Sequence, residues 1–381
     1  MRVCRITSEF PPPWIGLSPG PFQLSLAQEK RGNEVTVIAK DRPDSELVDS
    51  EVGFRVIRVT ARFDLEFSIK ARRIAVQLHR ERKQDIIHGH GFSATGILLA
   101  RPSELRAVPV ITHFHIVRKA QQVLFPERSE GRPGKLSRRW EALQEGLVAR
   151  RSDALITVSQ GLKEELARHY RVSGERVHVV GNGVDVDLFS PAPGPRREKN
   201  GLRLLWVGKF DGRKGERDLL DMMKGLQGEE AQVVLTMVGD GPGRSGFETA
   251  VADSGLGERV RVRPHVDFHR MPFEYREADV FVFPSRSEGM PKVILEAMAS
   301  GLPIVASDIP GCRELVEVGK NGYLAPPGQH DFLVEAIRTL ARAQGLIKEM
   351  GNESRRMVEE GFTWDITVER IDRCYRAALS R

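Results

Sequence analysis

Cysteine is scarce in this sequence. There are three in 381 residues, Cys4, Cys312 and Cys374, odd in number and far apart. That excludes a disulfide framework and a thiolate zinc cluster, and points to free thiols in a reducing compartment. Long apolar runs are missing too. No stretch approaches the roughly 20 apolar residues that span a bilayer. The chain opens on the strand-like run Arg2-Val3-Cys4-Arg5-Ile6, which leaves no room for a signal peptide. Nothing repeats at a solenoid period and nothing is of low complexity. The expectation is a soluble cytoplasmic protein, at most peripheral on the inner membrane surface. Length and a hydrophobic fraction of 40% allow two domains with real cores. The net charge of +6 fits an anionic partner, such as a nucleotide, an anionic lipid surface or nucleic acid.

Apolar strands alternate with helical segments through the first half. Strands are expected at 3–6, 34–39, 54–59, 86–88, 110–113, 154–158 and 177–180, with helices between them, for example over 22–31 and 162–169. This rhythm predicts a parallel, doubly wound α/β sheet. Ser190-Pro191-Ala192-Pro193-Gly194-Pro195-Arg196-Arg197 is a breaker-rich linker. The rhythm then restarts, with strands at 203–207, 232–238, 259–263, 280–283 and 303–306. Two Rossmann-like domains are therefore expected, 1–192 and 193–362, facing a central cleft, with a last helical segment over 363–381. Ligands in such sheets bind outside the carboxyl ends of the strands.

The most informative stretch is Ser287-Glu288-Gly289-Met290-Pro291-Lys292-Val293-Ile294-Leu295-Glu296-Ala297-Met298-Ala299-Ser300-Gly301. Pro291 is expected at the first position of a helix. The run Val293 to Ala299 is apolar all round except for Glu296, so the helix should be buried. A lone carboxylate there is costly to bury without partners. Glu296 is accordingly expected to face a ligand, with Glu288 in the turn before it. The helix N-terminus between them suits a phosphate. A buried helix whose Glu296 pairs with a nearby Arg is the plainer alternative.

Upstream, Leu204-Leu205-Trp206-Val207 runs into the glycine-rich basic turn Gly208-Lys209-Phe210-Asp211-Gly212-Arg213-Lys214-Gly215. Glycine lets backbone approach a ligand closely, and Lys supplies point charges for phosphate. The order of this turn, Val238-Gly239-Asp240-Gly241-Pro242 and Glu288-x7-Glu296 resembles the family 4 retaining glycosyltransferases (glycosyl transferases group 1). The resemblance covers nearly the whole chain and is strongest from Leu204 to Pro327. It implies the GT-B fold and an enzyme moving a hexose from a nucleoside diphosphate sugar to a glycan, lipid-linked or small-molecule acceptor, with no essential metal. It implies that Lys209 and Lys214 hold the donor diphosphate, with Arg213 as a further candidate, and that Gly208, Gly289, Met290 and Pro291 help to bind the donor. Glu288 would meet sugar hydroxyls and Glu296 the ribose. It also implies that the first domain binds the acceptor and that the C-terminal helix crosses back to it.

Two further elements enter through the resemblance. The family has a glycine-rich loop after the first strand whose N–H groups meet the diphosphate. Here that loop contains Gly16-Leu17-Ser18-Pro19-Gly20, so Gly16 and Gly20 are both candidates. The same five residues have the G-x-S-x-G form of a nucleophile elbow, which the prolines argue against. The family also has a histidine after the strand beginning at Pro109, lining the sugar site; His115 is the first choice and His113 the second. His88-Gly89-His90 and His113-Phe114-His115 have a spacing known in metal sites, so a His-based metal hydrolase is a rival, as is plain packing. Asp185-Val186-Asp187 is read as a turn. The segment Arg128 to Arg151 interleaves basic and apolar residues, which suits peripheral contact with a membrane or simply a helix over the core. A sugar-nucleotide epimerase or phosphorylase is the nearest rival function. A nucleic-acid-binding protein is a distant one, since the aromatic-basic interleaving of RNA modules is missing.

Overall fold

The computed structural model describes residues 1–124, 135–193, 201–228 and 232–380. They form two compact units: Met1–Asn182 with the C-terminal segment from Trp364, and Gly183–Thr363.

The first unit is built on seven strands: β1 (Arg2–Thr7), β2 (Glu34–Lys40), β3 (Arg55–Val59), β4 (Ile86–His90), β5 (Val110–Phe114), β6 (Ala154–Thr157) and β7 (Val177–Val179). They pair in parallel in the order β3-β2-β1-β4-β5-β6-β7. A parallel sheet is covered on both faces, which favours apolar runs over strict alternation; β4, β5 and β6 are buried at every position. The helix Trp364–Leu379 belongs to this unit. Its Val368, Ile371, Cys374 and Tyr375 pack into one cluster with Val3, Leu24, Ile86, Ile111 and Ile156.

The second unit repeats the plan with β8 (Leu202–Val207), β9 (Val233–Val238), β10 (Val260–Arg263), β11 (Val280–Phe283), β12 (Ile304–Ser307) and β13 (Gly322–Ala325). Their order is β10-β9-β8-β11-β12-β13, again all parallel. Both sheets are doubly wound α/β, as the alternation of apolar runs predicts. In each sheet the strand order reverses, between β1 and β4 and between β8 and β11.

Three details differ from what the sequence predicts. β13 occupies a stretch where the sequence predicts no strand, because a four-residue strand opening on Gly322 has no apolar run to announce it. Pro291 is the residue before the helix, with extended backbone (φ −73°, ψ 114°), and the helix itself runs Lys292–Ala299. The second unit also begins before the proline-rich linker. Arg355 donates to the carbonyls of Val186 and Phe189 at 2.9 Å, and Arg276 to that of Ser190 at 2.9 Å. Residues 183–190 are thereby held on the second unit. Positions 194–197 of the linker lie outside the described residues. Among the described residues no helix is long and apolar enough to cross a membrane.

Candidate active site

In a doubly wound sheet the binding loops gather outside the carboxyl ends of the two strands where the order reverses. In the second unit those strands are β8 and β11. β8 leads into Gly208–Gly215, and β11 into Pro284–Pro291, so the two stretches singled out in the sequence leave adjacent strands. They are tied together. Lys214 Nζ donates to Glu288 Oε1 at 2.6 Å, and Ser285 Oγ donates to the same oxygen at 2.7 Å. Arg213 donates to the Ser287 carbonyl at 2.9 Å, and its guanidinium lies 3.7 Å from the Glu288 carboxylate. Gly215 makes this approach feasible. Its φ is +78°, and a Cβ there would lie 2.1 Å from the Pro284 carbonyl oxygen. Lys209 is exposed and Gly208 half-buried.

The two glutamates sit in opposite electrostatic settings. Burial pushes the Glu288 carboxyl up, but Lys214 and Arg213 beside it outweigh this and hold it below the usual carboxylate range. Glu296, on the helix Lys292–Ala299, accepts a hydrogen bond from the Tyr275 hydroxyl at 2.7 Å. Burial raises it to about 7, against the pull of Tyr275 and Lys292. The plainer expectation, an Arg paired with Glu296, is not met: its hydrogen-bond partner is a phenol. Met290 and Pro291 are buried in the turn between the two glutamates. Sequence reasoning missed Ser285, Tyr275 and Lys292. Lys292 alone left a signal, four residues before Glu296 on one helix face; the other two are brought in by the tertiary fold.

In the first unit, the ends of β1, β4 and β5 line a pocket that includes Thr7, Asp64, His90, Phe92, His115 and Arg118. Arg118 lies 5.1 Å from the centre of the Phe92 ring. His115 is half-buried at this pocket, whereas His113 is buried within β5. Of the two candidates, His115 is the one that lines this pocket. His90, unassigned in the sequence, joins it there, its Nδ1 3.1 Å from His115 Nε2. Gly16 has a left-handed backbone (φ +59°) in the loop after β1, while Gly20 lies in the helix Pro19–Lys30. Ser18 is buried, its hydroxyl turned back to the carbonyls of Pro13 and Ile15. Eleven loop positions separate Thr7 from the start of that helix, so there is no nucleophile elbow.

His88, His90, His113 and His115 form a stack across β4 and β5, with ring centroids 4.4–5.5 Å apart between contacting pairs. Ligand nitrogens of the first three lie within 4.8 Å of one another, close enough to consider a shared ion. The ring planes argue otherwise: His88 and His90 are 6° from parallel and stacked. A metal accepts the in-plane lone pair of each imidazole, and stacked planes share no such point. Burial is the main reason that His88, His90 and His113 are all held well below the usual imidazole pKa, with Arg5 and the other rings adding to it. His88 Nδ1 meets the Tyr375 hydroxyl, and Arg5, paired with His88 in the register of β1 on β4, donates to Ser25 and Gln28. Of the D-x-D sequence, Asp185 is engaged in its own turn, accepting from the N–H groups of Asp187 and Leu188.

Residues 193–357 match the family model for glycosyl transferases group 1, and residues 21–188 that for glycosyltransferase family 4. The glycogen synthase of Mycobacterium tuberculosis is 26% identical over 99% of this chain and 95% of its own length. Among solved structures, sucrose-phosphate synthase from Thermosynechococcus elongatus superposes with a TM-score of 0.79 at 22% identity, covering 100% of this chain and 99% of that one. Anabaena HepE in complex with UDP-glucose gives 0.75 at 18% identity, covering 99% and 100%. These structures share the GT-B fold.

Burial of three of these histidines has a measurable consequence. The imidazoles of His88, His90 and His113 resist protonation when folded, while in the unfolded chain they titrate near 6.5. Below that pH the unfolded state binds more protons, so this contribution to stability is lost as pH falls. Replacing His113 with Asn should shrink the stability difference between about pH 7.5 and about pH 5.5 by roughly 1.4 kcal/mol. Urea unfolding of both proteins at the two pH values reads this directly. Parallel losses in both would show that His113 is protonated equally in the two states.

Proposed function

The chain belongs to the group 1 glycosyltransferases, and on that footing we propose that it transfers a hexose from a nucleoside diphosphate sugar to an acceptor with retention of configuration. The observation that carries this reading is the joining of Lys214, Arg213 and Glu288 at the strand-order reversal of the second sheet, with Glu296 one helix turn beyond Lys292. Lys214 and Arg213, with exposed Lys209, meet the diphosphate and offset the charge that grows on it as the glycosidic bond breaks. No side chain in this group is placed as a nucleophile. The leaving diphosphate itself takes the proton of the incoming acceptor hydroxyl on the same face of the sugar. Glu288 holds hydroxyls of the moving sugar and Glu296 those of the ribose. His115, which the resemblance assigns to the sugar site, lies at the pocket of the first unit. Three buried free cysteines suit the reducing cytoplasm.

The acceptor side has its own clue. On the helix Lys135–Arg151 the buried positions include Gln144, Glu145, Val148 and Ala149, while Trp140 and Leu143 are 48% and 63% exposed. A helix that merely covered the core would turn those two inward. Arg139 and Arg150 are exposed on the same helix, and Val123 is exposed on the preceding one. An apolar and basic outer face fits the headgroup region of an anionic membrane and favours a lipid-linked acceptor. The part of the basic segment from Arg128 to Gly134 lies outside the described residues.

The two glutamates should fail differently. Glu296→Gln is expected to weaken the free nucleoside diphosphate about tenfold. Glu288→Gln should leave that affinity within about threefold but lower kcat about a hundredfold, because its contacts are to the group being transferred. Calorimetry with UDP and GDP beside steady-state rates measures both; equal loss of affinity with unchanged turnover would refute the division of roles.

Transfer should also survive EDTA, since Lys and Arg side chains meet the phosphate charge. Loss of activity on chelation, restored by manganese or zinc, would overturn this. Finally, Trp140→Ser with Leu143→Ser should abolish sedimentation with vesicles rich in phosphatidylglycerol and leave folding intact. Sedimentation equal to that of the unaltered protein would remove the membrane from the reading.

A further inference from the structure

Lys292 is the first residue of the helix Lys292–Ala299, directly after the turn that carries Glu288. Its stem is partly exposed, but its ammonium nitrogen is buried and has no hydrogen-bond partner. This is an expensive arrangement on two counts. A buried ammonium is strongly disfavoured without a counter-charge. A cation in the first turn of a helix also opposes the positive end of the helix dipole. The remaining charges of the site relieve it only in part. Glu288 is already committed to Lys214, Ser285 and Arg213. Glu296, one turn on, leans back toward Lys292 because helical side chains tilt toward the N-terminus, yet it is bonded to Tyr275 and forms no ion pair with Lys292 within 4.0 Å. An anion would satisfy Lys292, the helix dipole and the terminal N–H groups at once.

We propose that Lys292 is a binding residue for the phosphates of the donor: its ammonium takes a phosphate oxygen of the nucleoside diphosphate presented to the N-terminus of the helix Lys292–Ala299. The inference rests on the donor reading above and adds a third cation, contributed by the helix itself, to Lys214 and Arg213 on the facing loop. It also explains a division of labour. Lys214 is held by Glu288 before any ligand arrives, whereas the Lys292 ammonium makes no hydrogen bond, so its contact with phosphate is a new one. Burial holds the Lys292 ammonium down to about 8, against the pull of Glu296, so a bound phosphate would restore its proton.

The test uses the full chain and two variants, Lys292→Met and Lys292→Arg, with UDP and GDP as probes in calorimetry. Lys292→Met is expected to weaken the diphosphate that the unaltered protein binds by at least about tenfold, and Lys292→Arg to keep it within about threefold. The Met variant should be at least as stable to urea without ligand, since it removes an unpartnered buried charge. Repeating the titration near pH 8.5 in buffers of different ionisation enthalpy should show proton uptake on binding that is absent from Lys292→Met. Unchanged affinity in Lys292→Met overturns the assignment and leaves the donor reading standing. So does a loss of affinity matched by a loss of stability, since that would mark a residue serving the fold. If the unaltered protein binds neither diphosphate, the donor reading itself fails.

Discussion

The ion pair between Lys214 and Glu288 joins two loops that the chain makes more than seventy residues apart. A carboxylate as buried as Glu288 cannot stay charged without a partner, and a lysine beside it loses most of its freedom. The pair therefore fixes the loop after β8 against the loop after β11. The surrounding contacts depend on it. Arg213 reaches the Ser287 carbonyl, Ser285 adds a hydroxyl to the same carboxylate, and Gly215 gives up a side chain so that the backbones can meet. The strand order places the loops side by side; the ion pair sets how they face each other.

Against that fixed pair stands a second, unfixed one. Glu296 and Lys292 share a helix face, are both buried at their charged ends, and are both drawn toward neutrality, the acid up and the base down. One carboxylate is thus held ionised and the other left near its balance point within a few residues. Environment separates their roles where residue type does not.

Much of this was legible in the sequence. Twelve of the thirteen strands fall where the sequence predicts them, most as short apolar runs, because a parallel sheet covered on both faces needs no alternation. Glu288, Glu296 and Lys214 stand out because a charged residue in an apolar or glycine-rich setting needs a reason. Tyr275 and Ser285 do not stand out: each acts through a partner that only the fold brings near. The histidines are half legible. Their spacing puts them at strand ends, but only the register of β4 on β5 shows that four rings stack and that His115 and His90 alone among them reach the pocket. Pro291 stands one position outside its helix, where the sequence suggests the first position within. That moves Lys292 from the second helical position to the first, where its charge matters most.

The first unit is discontinuous in the chain. Its central cluster needs Val368, Ile371, Cys374 and Tyr375 from a helix made after the whole of the second unit. On a ribosome, the usual order in which the earlier domain folds first is therefore reversed. Residues 1–182 emerge with part of their apolar sheet face uncovered and must wait. The contiguous second unit can complete its own sheet while the last helix is still being translated. Until that helix emerges the waiting half exposes the face that it will cover, so the window for chaperone capture or misassembly of this chain lies in residues 1–182 and stays open until residues 364–379 are made.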